Sequence, residues 1–271
     1  MVITLGIFLF IVGAAFGSFV GALTWRMKKK MDWVKGRSIC EHCKHQLGVL
    51  DLVPILSWLF LRGKCRYCHK KIGWTAIILE ISVGVAFVIS YLLWPSFDNL
   101  NTIHFGLWLI EVVLMAALLV YDARWRLLPN KLLFPLIGVA AIQVIISFIV
   151  SATQGWPTAW TYLGNVALAL IPIFGVYLML YLASRGKWIG LGDVKFGIAV
   201  ALITADWRLA LLVLAGANLL GTLVMLPLLI AHKKTMNSKI AFGPFLIIAT
   251  FLVFLFSSSL IDLVEKFFLY S

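Results

Sequence analysis

Residues 103–121 read IHFGLWLIEVVLMAALLVY, and Asp122 follows at once. Only His104 and Glu111 interrupt the apolar character of this run. A helix needs about 20 predominantly apolar residues to cross roughly 30 Å of hydrocarbon. Because lipid offers no partners to an open backbone, a spanning segment must satisfy its own N–H and C=O groups as a helix does. The run therefore predicts a transmembrane α-helix that ends beside an aspartate.

Apolar stretches of this kind recur along the 271 residues. With 62% hydrophobic residues, 13% charged residues and a mean hydropathy of +1.02, the composition lies outside the usual range of a soluble domain. We therefore predict an all-α polytopic membrane protein with about eight transmembrane helices. The stretches lie near 3–25, 74–94, 103–121, 132–152, 159–183, 208–231 and 244–264, with a shorter one near 190–204.

The basic residues predict how the chain is oriented. Segment 26–73 holds 12 Lys and Arg, and segments 122–131, 185–195 and 232–243 hold three each, together 21 of the chain's 23. Cytoplasmic loops carry such an excess of positive charge. With eight helices, both termini are expected outside and the ends bearing Asp122 and Asp193 at the cytoplasmic face. We expect a first transmembrane helix at 1–25, retained because its positive charges follow the apolar run. After this helix we expect a cytoplasmic loop domain at 26–73 and then a membrane core at 74–271.

Two aspartates are the strongest candidates for chemistry. Asp122 ends the opening run, and Asp193 closes Gly190-Leu191-Gly192-Asp193. An ionisable group in or beside hydrocarbon is costly and points to function. Two carboxylates in one site tend to share a proton, so one serves as general base and the other as general acid in peptide hydrolysis. Gly190 and Gly192 would allow a close approach to Asp193, whereas Lys195 either stabilises a carboxylate or anchors its helix at the headgroups.

The chain's four cysteines form two matched pairs. Cys40 and Cys43 are separated by two residues, as are Cys65 and Cys68, with 21 residues between the pairs. This spacing predicts a tetrahedral zinc site, and four thiolates would make the zinc structural because no coordination position stays open. Neighbouring histidines leave a mixed ligand set possible: His42, His45 and His69. A reducing cytoplasm argues against disulfides.

The residues around both aspartates resemble those of a known group. Tyr121-Asp122 on one helix and the Gly-x-Gly-Asp run on another resemble the GxGD membrane aspartic proteases. Within that group the chain most resembles the bacterial type IV prepilin peptidases, many of which carry a four-cysteine loop. Further matches are Gly17-Ser18-Phe19, Pro54-Ile55-Leu56-Ser57-Trp58, Arg62-Gly63-Lys64-Cys65, Leu128-Pro129-Asn130, Val194-Lys195-Phe196 and Phe242-Gly243-Pro244-Phe245.

The resemblance implies an endopeptidase of the bacterial inner membrane. Such an enzyme removes the short basic leader of prepilins or pseudopilins after a glycine, and Asp122 and Asp193 match its catalytic pair. Many members also methylate the new amino terminus with S-adenosylmethionine. Glu80 is a candidate contact for this cofactor or for the cysteine loop, and simple packing in the helix bundle is the alternative. Gly21 and Trp74-Thr75 depart from the asparagine and the tyrosine-proline pair common in relatives, in the part associated with methylation.

Two other classes of protein stay open on the residues alone. A transporter would use the aspartates as a proton relay, and it predicts internal repeats and acids near the bilayer midplane. A membrane-anchored adaptor would bind a partner through its zinc loop and would not need the aspartates. Nucleic-acid binding is not expected, because membrane topology alone explains a basic cytoplasmic loop.

Overall fold

The computed structural model describes residues 2–32, 37–231 and 241–269. Within these residues the regular structure is helical, apart from two isolated β-bridges. The predicted all-α class is confirmed, whereas the basic connection at 232–243 lies mostly outside the described residues. The α-helices are α1 Val2–Lys28, α2 Leu56–Phe60, α3 Thr75–Leu92, α4 Asn99–Trp125, α5 Asn130–Gln154, α6 Trp156–Leu170, α7 Val176–Ser184, α8 Leu191–Thr204, α9 Trp207–Ile230, α10 Gly243–Leu255 and α11 Ser257–Leu269.

Six helical segments of the described chain are long and apolar enough to cross a membrane. They are α1, α3, α4, α5, the segment Trp156–Ser184 and α9, and a seventh is the pair α10 and α11 if its two bent helices form one span. Helix α8 has 14 residues, about 21 Å at 1.5 Å per residue, which is less than the hydrocarbon thickness. A multi-pass membrane protein is confirmed, and the count of eight spans stays a prediction.

The last apolar stretch differs from the single helix predicted at 244–264. Helices α10 and α11 are bent by 81° at Phe256. Three serines, Ser257 to Ser259, follow the bend. Serine hydroxyls compete with the helix for backbone hydrogen bonds, which favours a break at this point.

The chain forms two compact units, and the first comprises Met1–Phe97. In this unit α1 packs along α3. A Cβ placed on Gly17 would lie 2.6 Å from the Leu79 carbonyl oxygen, and one on Gly13 would lie 2.8 Å from that of Val83. Small residues thus let the two helix backbones touch, as is common where membrane helices associate.

The second unit, Asp98–Ser271, is built around α8. This helix packs against α5, α6, α7, α9 and α10. Eight of its 14 residues are buried, including Phe196 and Gly197. Packing against five helices explains why most of the α8 sequence is apolar. Asp193, in its first turn, is therefore held by a rigid element.

Helix α4 brings Asp122 to its place. Asp98 caps its start by accepting a hydrogen bond from the Asn101 N–H at 2.8 Å. The helix ends at Trp125, because Arg126 adopts the left-handed conformation with φ 54°. Asp122 therefore lies in the last turn, at the end of the span rather than at its middle.

The span Trp156–Ser184 is not a continuous α-helix. A π-helical turn at Ile171–Gly175 separates α6 from α7 and contains Pro172, which lacks an N–H to donate. A Cβ placed on Gly197 of α8 would lie 3.2 Å from the backbone of Phe174. The irregular turn therefore packs directly on α8, one helical turn beyond Asp193.

Candidate active site and metal centre

Asp122 is buried and is held from a distant part of the chain. Its side chain is 5% exposed, and the Gly243 N–H at the start of α10 donates a hydrogen bond of 3.0 Å to its Oδ2. A Cβ on residue 243 would lie 2.6 Å from the same oxygen. Only glycine at this position allows both the hydrogen bond and the observed carboxylate position.

Asp193 lies in the first turn of α8, where a carboxylate is favoured by the helix dipole. Gly190 precedes the helix as its N-cap, and a Cβ there would lie 3.3 Å from Asp193 Oδ2. The carboxylates of Asp193 and Asp122 are close enough to interact electrostatically. The structure thus brings together the two acids that the sequence singled out.

Gly192 fits the first turn of α8 against the connection between α4 and α5. A Cβ on Gly192 would lie 2.9 Å from the Cβ of Leu128. This contact is too close for any side chain at position 192 unless the connection moves. The glycine therefore serves the packing of the site, in addition to any approach by a substrate.

Lys195 contacts the beginning of α5, directly after the same connection. Its Nζ donates a hydrogen bond of 3.1 Å to Asn130 Oδ1 and lies 5.5 Å from the centre of the Phe134 ring. Among the ion pairs of the described residues, none joins Lys195 to Asp122 or Asp193. Leu128 and Asn130 together fix the beginning of α8, so this lysine acts on the position of the helix.

Sequence reasoning gave no role to Tyr177, and it matched Gly243 only as part of a motif. Tyr177 is 2% exposed and packs edge-on against Phe242, with ring centroids 6.0 Å apart. It also interacts electrostatically with Asp193. A tyrosine within an apolar run carries no periodic signal, and the Gly243 contact spans 121 positions. The motif Phe242-Gly243-Pro244-Phe245 was the sequence signal for Gly243, whereas Tyr177 had none.

The four cysteines converge in the first unit. Their sulfur atoms all lie within 4.8 Å of one another, and the Cys40 and Cys68 sulfurs are 3.9 Å apart. A tetrahedral zinc with bonds of about 2.3 Å separates its sulfur ligands by about 3.8 Å. The cluster therefore fits a zinc ion, and among the described residues no histidine belongs to it.

Each cysteine pair has the same backbone fold. The Lys44 N–H donates to the Cys40 carbonyl and the His69 N–H to that of Cys65, both at 3.0 Å. Lys44 and His69, which follow the second cysteine of each pair, both have positive φ, at 61° and 56°. Two equivalent turns thus present two sulfurs each to one point.

The surroundings of the Cys40 thiol favour metal binding. Burial alone would raise its pKa, but the N–H groups of Cys43 and His42 point to the sulfur, and the net effect lowers the pKa of Cys40 to about 7. A lower pKa favours the thiolate, which is the form that binds zinc. The His45 ring lies tilted against the Tyr67 ring, with centroids 3.7 Å apart.

Asp51 joins the segment between the two pairs to the second pair. It accepts hydrogen bonds from the Arg66 Nε at 2.7 Å, the Gly48 N–H at 3.1 Å and the Tyr67 hydroxyl at 3.3 Å. Burial opposes ionisation of this carboxyl, but the bonds from Arg66 and Gly48 outweigh it and hold the pKa of Asp51 below its usual value. The ionised carboxylate therefore stabilises the loop above acidic pH.

Glu80, the candidate cofactor contact, meets the cysteine loop. Its Oε2 accepts a hydrogen bond of 2.7 Å from the Ile55 N–H, which lies directly before α2. Ile55 has φ 61°, an unfavourable conformation for a β-branched residue. The Ser18 hydroxyl of α1 also bonds to Glu80. This buried carboxylate thus ties α1, α3 and the loop together.

Two neighbouring aspartates on helices of a multi-pass bundle define a class of membrane proteins. Comparison with known proteins identifies the family within this class. Residues 11–94 match the Bacterial Peptidase A24 N-terminal domain, and residues 109–226 match the Type IV leader peptidase family. The chain belongs to the type IV leader peptidase family, as the motifs predicted.

Relatives named prepilin leader peptidase/N-methyltransferase support this assignment. The Klebsiella pneumoniae protein is 32% identical over 197 residues, which cover 70% of this chain and 81% of the relative. The Dickeya chrysanthemi protein is 30% identical over 215 residues, 78% and 70% of the two chains. The Dichelobacter nodosus protein is 26% identical over 233 residues, 86% and 76%. No solved structure matches the chain, and these relatives favour neither the transporter nor the adaptor.

Proposed function

We propose that the protein is a membrane aspartic endopeptidase that removes the basic leader of prepilins or pseudopilins, with Asp122 and Asp193 as its catalytic pair. One observation carries the assignment of the residues: the two carboxylates interact in the second unit although 71 positions separate them along the chain. Family membership supports the reaction and the substrate class.

The pair suits hydrolysis without a metal ion. One carboxylate accepts a proton from water, and the water oxygen forms a bond to the carbonyl carbon of the peptide. The other, protonated acid polarises the carbonyl oxygen and then donates its proton as the carbon–nitrogen bond breaks and the amine leaves. The products are the free leader carboxylate and the new amino terminus. Either aspartate can fill either role, and the Gly243 N–H fixes the position of Asp122.

Zinc and S-adenosylmethionine belong to the first unit in this proposal. Four cysteines would hold a structural zinc, which would fix the loop between α1 and α3. S-adenosylmethionine would supply the methyl group for the new amino terminus, an activity included in the relatives' names. Glu80 would shape that region by holding Ile55 and Ser18.

We place the protein in the bacterial inner membrane with the aspartates at the cytoplasmic face and both termini outside. The basic segments next to both aspartates support this orientation. A prepilin that has not yet been cleaved keeps its basic leader on the cytoplasmic side, so its cut site would lie at the same membrane face as the carboxylates.

Replacing each acid by its amide tests the function. Asp122→Asn and Asp193→Asn should each abolish cleavage of a prepilin in detergent micelles, read as the shift of substrate to product by mass. Glu111→Gln is the matched control, because it also changes a buried acid to its amide on the helix that carries Asp122, and it should leave the rate unchanged. Leader cleavage that persists in either aspartate variant would reject the mechanism.

A further inference from the structure

Tyr177 has a buried polar group that the hydrolysis described above does not use. The residue is 2% exposed, and its hydroxyl has no hydrogen-bond partner among the described residues. Leaving a buried hydroxyl unpaired is unfavourable, because folding removes the water that satisfied it in the unfolded chain. Such groups are rare, and a catalytic role is one recognised reason for keeping them.

Tyr177 lies near the elements that carry or hold both aspartates. Its ring meets that of Phe242 at an angle of 86°, and Phe242 directly precedes the Gly243 that donates to Asp122. Its phenol also interacts electrostatically with Asp193. Tyr177 therefore lies beside the site, next to the element that holds one aspartate and within electrostatic reach of the other.

The π-helical turn explains how an otherwise apolar span presents a phenol at this point. A π turn inserts one residue relative to an α-helix, so the side chains that follow are rotated by about 100°. Tyr177 is the second residue after this turn. The turn itself is fixed by its close packing on Gly197 of α8, the helix that carries Asp193.

Peptide hydrolysis benefits from a hydrogen-bond donor in addition to the protonated acid. The protonated aspartate polarises the carbonyl oxygen as water attacks, but its proton later goes to the leaving amine, so a second donor would stabilise the negative charge on that oxygen. The Gly243 N–H already donates to Asp122, and the Lys195 ammonium donates to Asn130 at an exposed position. The Tyr177 hydroxyl is a buried donor near the pair without a partner among the described residues, so it is available to bond a substrate.

We propose that Tyr177 is a third catalytic residue, whose hydroxyl donates a hydrogen bond to the carbonyl oxygen of the scissile peptide bond. The inference rests on the proposed peptidase function. The phenol keeps its proton throughout, so the bonds that form and break are those already given. Entry of the substrate would replace the packing that now covers the hydroxyl and would provide its missing partner.

Tyr177→Phe tests the proposal because it removes the hydroxyl alone and keeps the ring against Phe242. With a purified prepilin in detergent micelles, kcat should fall roughly 10- to 100-fold while KM changes little, since the bond strengthens in the transition state. The thermal unfolding temperature should stay the same or rise, because the lost hydroxyl had no partner. Tyr181→Phe, one helical turn further along α7, is the matched control and should keep its kcat within about twofold.

Each outcome decides the question. A Tyr177→Phe enzyme with the parent kcat would overturn the proposal. A loss of kcat that comes with a lowered unfolding temperature, or that Tyr181→Phe shares, would show a packing role and would overturn it as well. If Asp122→Asn and Asp193→Asn are inactive while Tyr177→Phe is active, only this inference fails. If the aspartate variants also cleave, the proposed function itself fails.

Discussion

At the scale of single residues, the position of the Asp122 carboxylate depends on a hydrogen atom at residue 243. Gly243→Ala would place a methyl group 2.6 Å from Asp122 Oδ2. Either the carboxylate or the start of α10 must then move, and the N–H hydrogen bond is lost or distorted. Because a displacement of about 1 Å at a reacting group costs roughly 100-fold in rate, we expect leader cleavage to fall by about that factor.

Another glycine of the same unit provides the comparison. A Cβ on Gly138 of α5 would have no neighbouring heavy atom within 4 Å, so Gly138→Ala should cleave at the parent rate. The two rates are measured side by side on one prepilin preparation. Equal activity of both variants would show that the carboxylate tolerates a different position and that Gly243 does not fix it.

The acids and cysteines could be predicted because their chemistry is carried by short motifs. Asp122 and Asp193 stand out against apolar surroundings, and two Cys-x-x-Cys pairs in one segment are typical of a zinc site. The hydrogen bond from Gly243 could not be predicted, since it joins residues 121 positions apart. Tyr177 could not be predicted either, because its burial and its missing partner are properties of packing.

At the scale of elements, the first turn of α8 is seated against the α4–α5 connection through Gly192 and Leu128. Gly192→Ala would create a contact of 2.9 Å with the Leu128 Cβ. Overpacking of this kind typically costs about 1–3 kcal/mol. We expect a lower free energy of unfolding and slower cleavage, measured by denaturation in mild detergent and by the prepilin assay.

A second substitution separates crowding from other effects of Gly192→Ala. In the Gly192→Ala/Leu128→Gly double variant, glycine at 128 removes the Cβ and the rest of the side chain that crowds position 192. The two substitutions should be coupled favourably by about 0.5–3 kcal/mol, so that the double variant is more stable than the sum of the single effects predicts. Simple additivity would contradict the contact.

The cysteine loop gives a prediction that does not depend on catalysis. Purified protein should contain about one zinc per chain, because the four sulfurs fit a closed tetrahedral site. Cys40→Ser should lose the metal and increase hydrogen exchange in the loop from residue 37 to 73, since zinc binding is coupled to folding. His42→Ala should retain the metal, and zinc content near zero in the parent with intact thiols would reject the site.

Hydropathy located the helices well but not their breaks. Every predicted apolar stretch is helical, because the signal is an average over about 20 residues. The π turn at Ile171–Gly175 and the bend at Phe256 depend on single residues and on local packing, so the average hides them. Hydropathy also could not decide whether the short helix α8 spans the membrane, because burial inside the unit produces an apolar sequence as readily as lipid does.

For the whole molecule, the distribution of basic residues indicates that α8 crosses the membrane, whereas the length of α8 argues against it. Basic residues on alternate connections are consistent only if α8 crosses the membrane, yet its 14 residues extend about 21 Å. A helix buried among its neighbours can cross with short non-helical ends, because irregular backbone is tolerated where protein covers it. We therefore expect residues 185–190 and 205–207 to lie on opposite sides.

Single cysteines placed on either side of α8 test this expectation in intact cells. With a membrane-impermeant maleimide, Thr153→Cys and Trp207→Cys should react from outside, whereas Lys187→Cys should react only after permeabilisation; all three side chains are exposed in the structure. The parent protein is the control, because its four native cysteines lie in the loop that we place inside and are expected to hold metal. Reaction of Trp207→Cys only after permeabilisation would mean that α8 does not span, which would leave the basic segment 232–243 on the outer side of the membrane if α9 then crosses it.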